Sequence, residues 1–195
     1  MSRTAERRKQ PTAVKILIAG GFGVGKTTLV GAISEIPPLT TEALLTAASV
    51  GTDETSFTPD KDTTTVAMDF GRITLAEDLV LYLFGTPGQR RFWFMWDELC
   101  RGAIGAVVIA DTRRLADCFG AVDYFDNRRV PYVVAVNQFE GATVHDLAEV
   151  REALAVHPSI PMIACDVRSR TSAKHLLVTV TEHALARRAA AGSRY

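Results

Sequence analysis

Short runs of β-branched and other apolar residues alternate along the chain with longer stretches of helical periodicity. The apolar runs predict six strands, at residues 13–19, 64–75, 79–85, 103–111, 132–137 and 161–166. Helical patterns lie between them, one starting near residue 26 and the others covering about 115–128, 144–156 and 171–190. This alternation predicts a mostly parallel sheet with helices on both faces, in which ligands bind at the carboxyl ends of the strands.

One domain is expected to account for most of the chain, because 195 residues suffice for one sizeable domain and not for two ordinary ones. We expect the folded domain over residues 13–190, a flexible basic tail at 1–12 and a short tail at 191–195. Residues 36–62 begin with two prolines and continue with many Thr, Ser and Asp residues. We interpret them as a long mobile connection with at most one helical turn.

Composition disfavours several classes of function. The chain has 22 basic and 22 acidic residues, and a net charge of zero argues against nucleic acid or a membrane surface as the main partner. The three cysteines are scattered without a CxxC pair, which is typical of reduced thiols in a cytoplasmic protein. No apolar run approaches the roughly 20 residues that span a bilayer. We therefore expect no direct membrane insertion, and recruitment to a membrane only through a partner.

The stretch "GGFGVGKTT" (20–28) matches the pattern G-x-x-x-x-G-K-[ST], follows a predicted strand and starts a predicted helix. Its glycines let backbone N–H groups turn toward phosphates, and the helix start adds a partial positive charge. Lys26 would contact the outer phosphates, and Thr27 would give its hydroxyl to Mg²⁺. A glycine-rich turn without chemical role is disfavoured because spacing, strand and helix agree. The predicted phosphate-binding residues are Gly20, Gly23, Val24, Gly25, Lys26, Thr27 and Thr28.

The stretch "NQFE" (137–140) ends a buried strand, where GTPases carry N-K-x-D. Asn137 would tie neighbouring loops together, and the stem of Gln138 would cover one face of the base. The Glu140 carboxylate can accept two hydrogen bonds from guanine, whereas adenine offers no donor pair on that edge, so Glu140 favours guanine. A solvated loop tip is the alternative.

The second base loop is predicted at "ACD" (164–166), after the last strand. There the backbone at Cys165 and Asp166 would meet the guanine oxygen, with a plain strand end as the alternative. The tripeptide "SAK" (172–174), which resembles the usual sequence of this loop, lies at the start of the last predicted helix and is not interpreted as a base contact.

Two further segments have the pattern of nucleotide-sensing switches. In "TPGQ", the backbone N–H of Gly88 would detect a third phosphate and Gln89 would orient the attacking water, unless the segment is a plain Pro-Gly turn. Thr63, Thr64 and Thr65 precede a predicted strand. We choose Thr65 as the threonine that completes the Mg²⁺ shell, because it leads straight into that strand, and the register stays open among the three.

One expected residue is missing. A GTP-driven switch usually has an Asp three residues before the phosphate-sensing glycine, and this chain has Gly85 there. Losing a carboxylate that supports a metal ion commonly costs roughly 10- to 100-fold in metal affinity or activity. We therefore expect binding to survive, with Lys26 and Gln89 as the catalytic residues and slow unaided hydrolysis.

Over about residues 14–187 the chain resembles the Ras-like small GTPases, and more narrowly the MglA-type branch and the GTP-binding proteins of bacterial conservons. The resemblance rests on "TPGQ" without a preceding Asp, a threonine four residues before "DF", and the "NQFE" and "ACD" loops. It implies a Ras-like six-stranded, mostly parallel sheet with one antiparallel edge strand. It also implies GTP or GDP with Mg²⁺ as ligands, and as partners a roadblock-type regulatory protein and a sensor-kinase-like membrane complex.

The chain departs from the MglA-type pattern because no Arg stands beside Thr65, where such proteins have one that assists hydrolysis. Arg90 and Arg91 follow Gln89 and are interpreted as exposed switch or partner contacts in preference to a catalytic arginine. The aromatic stretch "FWFMW" (92–96) is either partly exposed as a docking patch or buried under a neighbouring helix.

Three functions follow from these patterns. The leading hypothesis is a GTPase switch with slow Mg²⁺-dependent hydrolysis that signals through surfaces at 60–70 and 86–96. The second is a scaffold that holds a guanine nucleotide without useful hydrolysis. The third is an ATPase with a degenerate base loop.

Overall fold

The computed structural model describes residues 11–45, 64–88 and 94–192, and within these ranges a single sheet has seven strands. The strands are β1 (Thr12–Gly20), β2 (Leu39–Leu45), β3 (Thr64–Ala76), β4 (Leu79–Gly85), β5 (Ala103–Ala110), β6 (Tyr132–Asn137) and β7 (Met162–Cys165). The helices in the same ranges are α1 (Lys26–Ile33), α2 (Trp96–Cys100), α3 (Ala116–Arg128), α4 (Leu147–Ala153) and α5 (Arg170–Gly192), and a 3-10 turn covers Thr112–Arg114. The spatial order of the strands is β2-β3-β4-β1-β5-β6-β7.

The sheet is mostly parallel, as the alternating pattern predicts, and the six predicted strands are all present. Strand β1 is parallel to both β4 and β5, and β6 and β7 continue the parallel series. Strand β3 is antiparallel to its two neighbours, β2 and β4.

Strand β2 was not predicted, because it lies inside the polar stretch interpreted as a connection. Its backbone pairs along its whole length with β3, from Leu39 opposite Phe70 to Leu45 opposite Thr64. Backbone pairing at the edge of a sheet does not require an apolar alternating pattern, so periodicity gives a weak signal there. The antiparallel strand β3 is therefore second from the edge and not the edge strand itself.

The core consists of two apolar layers, one on each face of the sheet. Along β1, Ile16 and Ile18 belong to the layer covered by α1 and α5, whereas Leu17 and Ala19 belong to the layer covered by α2, α3 and α4. Successive side chains of a strand point to opposite faces, so a strand buried on both faces has a continuous apolar sequence. This three-layer arrangement leaves the carboxyl ends of the strands free for a site.

The aromatic stretch near residue 95 divides between the core and the surface. Trp96 is 2% exposed and packs against Tyr124 and Phe125, at ring-centroid distances of 5.0 and 5.7 Å. Phe94, two residues earlier, is 64% exposed. Trp96 thus anchors the start of α2 while Phe94 stays at the surface, and a docking role for this stretch stays a prediction. Phe92 and Trp93 lie outside the described residues.

The described elements extend from Thr12, the first residue of β1, to Gly192, the last residue of α5. Most of the predicted N-terminal tail lies outside the described residues. Of the helices in the described ranges, none combines the length and the apolar character needed to cross a membrane.

Candidate nucleotide-binding site

The predicted phosphate loop connects β1 to α1 at the carboxyl end of the sheet. Gly23 and Gly25 have φ angles of 72° and 107°, a backbone conformation that glycine adopts without steric cost. Because Gly25 precedes the first residue of α1, the helix N-terminus faces the loop. The loop borders a cavity of about 390 Å³ lined by Phe22, Gly23, Gly25, Lys26, Thr27, Thr28, Asp69, Thr86 and Gly88.

The Lys26 ammonium is held inside this loop. It donates hydrogen bonds to the carbonyl oxygens of Gly20 and Gly21, at 3.0 and 2.6 Å. Burial lowers the pKa of Lys26 to about 8, although the nearby charge of Asp69 acts in the opposite direction. A phosphate beside Lys26 would supply the negative charge that stabilises its protonated form.

Asp69 was not predicted as a site residue, and the structure places its carboxylate beside the phosphate loop. Asp69 lies on β3, is 9% exposed, and accepts a hydrogen bond of 2.7 Å from the Thr27 hydroxyl. A β-carbon built on Gly85 would lie 3.0 Å from the Asp69 β-carbon and 3.1 Å from its Oδ2. Asp69 therefore occupies the space into which a side chain at position 85 would extend.

Strand pairing explains why Asp69 reaches this position. Phe70 pairs with Phe84, so Asp69 and Gly85 are next to each other on adjacent antiparallel strands. The register shifts between Thr74 and Ala76, near the turn that joins β3 and β4. Without this irregularity Gly85 would face Phe70, and the carboxylate would be displaced along the strand. The available sequence signal was an acidic residue between two apolar ones, Met68 and Phe70, within a predicted strand.

The segment after β4 also lies against the phosphate loop. The Thr86 hydroxyl is buried, lines the cavity and has no hydrogen-bond partner among the described residues. A β-carbon on Gly88 would lie 3.0 Å from both the Lys26 ammonium nitrogen and the Phe22 backbone nitrogen. Gly88 is therefore close to Lys26 and Phe22, and its contact with a third phosphate stays a prediction. Gln89 lies outside the described residues.

The residues around Thr27 fit a Mg²⁺ ion that arrives with a nucleotide. The Thr27 hydroxyl, the Asp69 carboxylate and the unpaired Thr86 hydroxyl are oxygen ligands of the kind that Mg²⁺ prefers. Within the described ranges, no group of three or more His, Cys, Asp or Glu residues could hold a metal alone. Proteins commonly bind Mg²⁺ through few side chains together with substrate phosphates. Thr65 is the second residue of β3, where its backbone pairs with Leu44.

A second cavity of about 170 Å³ continues from the phosphate loop toward the predicted base loops. It shares Gly23, Gly25 and Thr28 with the first cavity, and its lining also includes Asn137, Gln138, Phe139, Glu140, Asp166, Val167 and Arg168. The buried Asn137 amide donates to the Val24 carbonyl oxygen at 3.1 Å and accepts from the Val167 N–H at 3.3 Å. Asn137 thus ties the phosphate loop to the segment after β7, as predicted.

Charged side chains lie at the outer end of this second cavity. Glu140 is 90% exposed, and its carboxylate lies 3.6 Å from the Arg168 guanidinium. Arg168 also donates to both carboxylate oxygens of Asp166, at 2.9 and 3.0 Å, and these hydrogen bonds lower the pKa of Asp166. The Glu140 carboxylate is therefore exposed at the cavity, with the Arg168 guanidinium as its ion-pair partner. Arg168 was not predicted.

Cys165 lies deeper than the predicted base contact. It is 3% exposed within β7, and its carbonyl oxygen accepts a hydrogen bond from the Gln138 N–H. Burial raises the pKa of its thiol to about 11. Val167, two residues later, lines the cavity and lies 2.8 Å from a β-carbon built on Gly25. The tripeptide at 172–174 lies inside α5.

A phosphate loop between the first strand and first helix of a three-layer, mostly parallel sheet defines a P-loop nucleotide-binding protein. The family model described as "Conserved hypothetical ATP binding protein" matches residues 18–187. The chain belongs to this family. It is also 29% identical over 139 residues to the uncharacterized protein MJ1339 of Methanocaldococcus jannaschii, an alignment that covers 70% of this chain and 77% of that protein.

Solved structures with a similar fold include domains of the FeoB iron transporter. The T. maritima cytosolic domain in apo form has a TM-score of 0.62 and 18% identity, with 89% of this chain and 64% of that chain covered. The T. maritima G domain has a TM-score of 0.60 and 18% identity, with 89% of this chain and 99% of that chain covered. The Methanococcus jannaschii G-domain has a TM-score of 0.55 and 13% identity, with 89% of this chain and 98% of that chain covered. This chain therefore spans less than two thirds of the cytosolic domain and nearly all of each G domain.

Proposed function

We propose that this chain is a GTP-binding molecular switch that hydrolyses GTP slowly with Mg²⁺. The observation that carries the proposal is the exposed carboxylate of Glu140, which lines a cavity that begins at the phosphate loop. With the phosphates in the loop, the base would lie along Asn137 and Gln138 with its edge toward Glu140.

Glu140 supports guanine over adenine on chemical grounds. The edge of guanine that faces this residue carries two adjacent N–H donors, and a carboxylate accepts both. Adenine has no such pair, so the carboxylate would gain no hydrogen bonds from it. Residues Asp166, Val167 and Arg168, which follow β7, line the same cavity. One of the similar solved structures, the T. maritima FeoB cytosolic domain, is in a GDP form, which agrees with this assignment.

The phosphate end of the site supports metal-assisted hydrolysis. Thr27 and Asp69 would hold Mg²⁺, with Thr65 completing its ligands when a third phosphate is present. Bound Mg²⁺ would neutralise charge on the outer phosphates. Lys26 would contact the same phosphates, and Gln89 would orient the attacking water. In this arrangement Asp69 takes the role that an Asp at position 85 would otherwise have.

Slow hydrolysis agrees with the lack of an arginine at the positions just before Thr65. An arginine that stabilises the transferred phosphoryl group is worth about 10³- to 10⁵-fold in rate. We propose that a regulatory partner of the roadblock type influences this step, and that a sensor-kinase-like membrane complex recruits the switch. The sequence resemblance to the MglA-type and conservon proteins supports these two partners.

Binding of ATP is the second candidate, because the family is described as ATP binding. Direct titration separates the candidates: fluorescent guanine and adenine diphosphates are titrated into the protein with and without Mg²⁺. The proposal expects tighter binding of the guanine nucleotide, strengthened by Mg²⁺. Tighter binding of the adenine nucleotide would overturn it. Guanine binding without hydrolysis over many hours, with or without a candidate partner, would favour the scaffold.

A further inference from the structure

Two adjacent arginines lie between the phosphate loop and the base loop without lining either cavity. They belong to the 3-10 turn Thr112–Arg114, which follows β5 at the carboxyl end of the sheet. Asp111, just before the turn, is 2% exposed and anchors it. Its carboxylate accepts from the Arg113 backbone at 3.0 Å and from the Arg113 guanidinium at 2.9 and 2.7 Å. The turn is thus fixed to the core of the sheet.

Arg114 contacts the phosphate loop. Its guanidinium donates a hydrogen bond of 2.8 Å to the carbonyl oxygen of Phe22. In a trans peptide the carbonyl and the N–H of the next residue point in opposite directions. The hydrogen bond from Arg114 therefore restrains the peptide that joins Phe22 to Gly23. Both residues line the phosphate cavity, so this restraint acts on the backbone that would meet a phosphate.

A charged donor on this carbonyl has a second effect on the same peptide. Hydrogen bonds in series polarise one another, so a guanidinium bound to the Phe22 carbonyl makes the Gly23 N–H a stronger donor. Arg114 also lies close enough to Gly23 that a β-carbon there would be 3.7 Å from its guanidinium nitrogen. The same guanidinium lies 3.9 Å from the Asp117 carboxylate. It thus lies beside the phosphate loop, with an acidic partner, and is not among the residues that line the phosphate cavity.

Arg113 contacts the base loop. Its guanidinium carbon lies 3.7 Å from the centroid of the Phe139 ring, a stacking distance at which a cation and an aromatic face attract. Since both oxygens of Asp111 hold the guanidinium, its plane is fixed before it meets the ring. Phe139 lies between Gln138 and Glu140, so fixing its ring restricts the two residues proposed to contact the base.

We propose that Arg113 and Arg114 form an arginine brace that positions the two nucleotide-binding loops independently, Arg114 the phosphate loop and Arg113 the base loop. The inference rests on the proposed function for the identity of the base, but not for the role of Arg114. Both are positioning residues, since each acts through another residue, Phe22 or Phe139.

The brace predicts different losses for its two arginines. The probes are GDP and inosine diphosphate, which lacks the 2-amino group that Glu140 would bind. Arg114→Ala should weaken both probes equally, by about 3- to 10-fold, the effect of losing one charge-assisted hydrogen bond at a half-exposed site. Arg114→Lys should recover part of the loss, because Lys keeps a charged donor. Arg113→Ala should weaken GDP more than inosine diphosphate and so reduce discrimination between them by about 3- to 10-fold.

Controls separate positioning from loss of folding. Arg188→Ala removes an exposed arginine of α5 and should leave both affinities unchanged. Because Arg113→Ala leaves the buried Asp111 without its partner, Phe139→Leu provides a second variant. It removes the ring, keeps apolar bulk, and should reduce discrimination in the same way. Thermal unfolding identifies variants that fail to fold.

Two results would overturn the brace while leaving guanine binding intact. One is a GDP preference in the parent protein that survives both Arg113→Ala and Phe139→Leu. The other is an Arg114→Ala variant that binds both probes as tightly as the parent. If the parent protein instead prefers ADP, the proposed base fails, and the brace still requires Arg114→Ala to weaken ADP by about 3- to 10-fold.

Discussion

Replacing Asp69 by Asn tests whether this residue supplies the metal-supporting carboxylate that position 85 lacks. The amide keeps the size of the side chain and removes its charge, while the Thr27 hydroxyl, 2.7 Å away, keeps a hydrogen-bond partner. Asp69 itself is only 9% exposed and lines the phosphate cavity, so its charge lies where Mg²⁺ would arrive with a nucleotide. We expect the apparent Mg²⁺ affinity of the protein–nucleotide complex to fall about 10- to 100-fold, or about 1.4 to 2.7 kcal/mol.

The assay is the Mg²⁺ dependence of nucleotide release. A fluorescent GDP complex is challenged with excess unlabelled GDP at a series of free Mg²⁺ concentrations, and the midpoint of the protection curve is measured. Asp78→Asn is the matched control, because Asp78 is exposed in the turn between β3 and β4. An Asp69→Asn midpoint equal to that of the parent would refute the role of Asp69.

A reciprocal swap makes the test stricter. Gly85→Asp alone should destabilise the protein, because its β-carbon would lie 3.0 Å from that of Asp69 and two carboxylates would share one buried space. Combining Asp69→Gly with Gly85→Asp vacates that space and returns a carboxylate to it from the adjacent strand. The swap should bring the Mg²⁺ midpoint back toward that of the parent. The midpoint of the double variant should therefore differ from the sum of the effects of the two single substitutions.

Three further variants test the preference for guanine, the orientation of the attacking water and the protonation of Lys26. Glu140→Ala should reduce the ratio of GDP to ADP affinity by about 10- to 100-fold, and an unchanged ratio in competition binding would argue against Glu140 as the base contact. Gln89→Leu should lower single-turnover GTP hydrolysis at least about 10²-fold with GDP affinity unchanged, whereas equal turnover would exclude its role. GDP affinity should fall as pH rises above about 8, because deprotonated Lys26 must take up a proton when phosphates bind, and Lys26→Arg should remove this dependence between pH 7 and 9.

The six buried strands could be predicted from the sequence because each is a short apolar run in a sheet covered on both faces. Strand β2 could not, since it pairs through its backbone at the edge of the sheet and lies in a polar stretch. The phosphate loop and Asn137 were predictable for a different reason. Their chemistry depends on local backbone conformation and on residues close together in sequence.

Asp69 could not be predicted, because its place depends on pairing between strands. The sequence pattern of a GTP-driven switch has this carboxylate three residues before the phosphate-sensing glycine, and this chain has Gly85 at that position. The structure supplies the carboxylate across the strand pair, and the irregularity near Leu75 sets the register. Sequence spacing reports neighbours along one strand, and a one-residue shift between strands changes which residues meet.

The loop after β7 shows the same limit on a smaller scale. The strand was predicted, but the residue at which it ends decides which residues line the cavity. Cys165 still belongs to the strand, so Val167 and not Cys165 lines the cavity. Ends of elements are less well determined by periodicity than their existence, and base contacts lie at such ends.

The most direct test of the account is to incubate the purified protein with equal concentrations of GTP and ATP and with Mg²⁺, then separate and identify the bound nucleotides over several hours. The account predicts bound guanine nucleotide that changes slowly from GTP to GDP, and a slower change in the Asp69→Asn protein. Bound adenine nucleotide would contradict the role of Glu140 and, with it, the proposed switch.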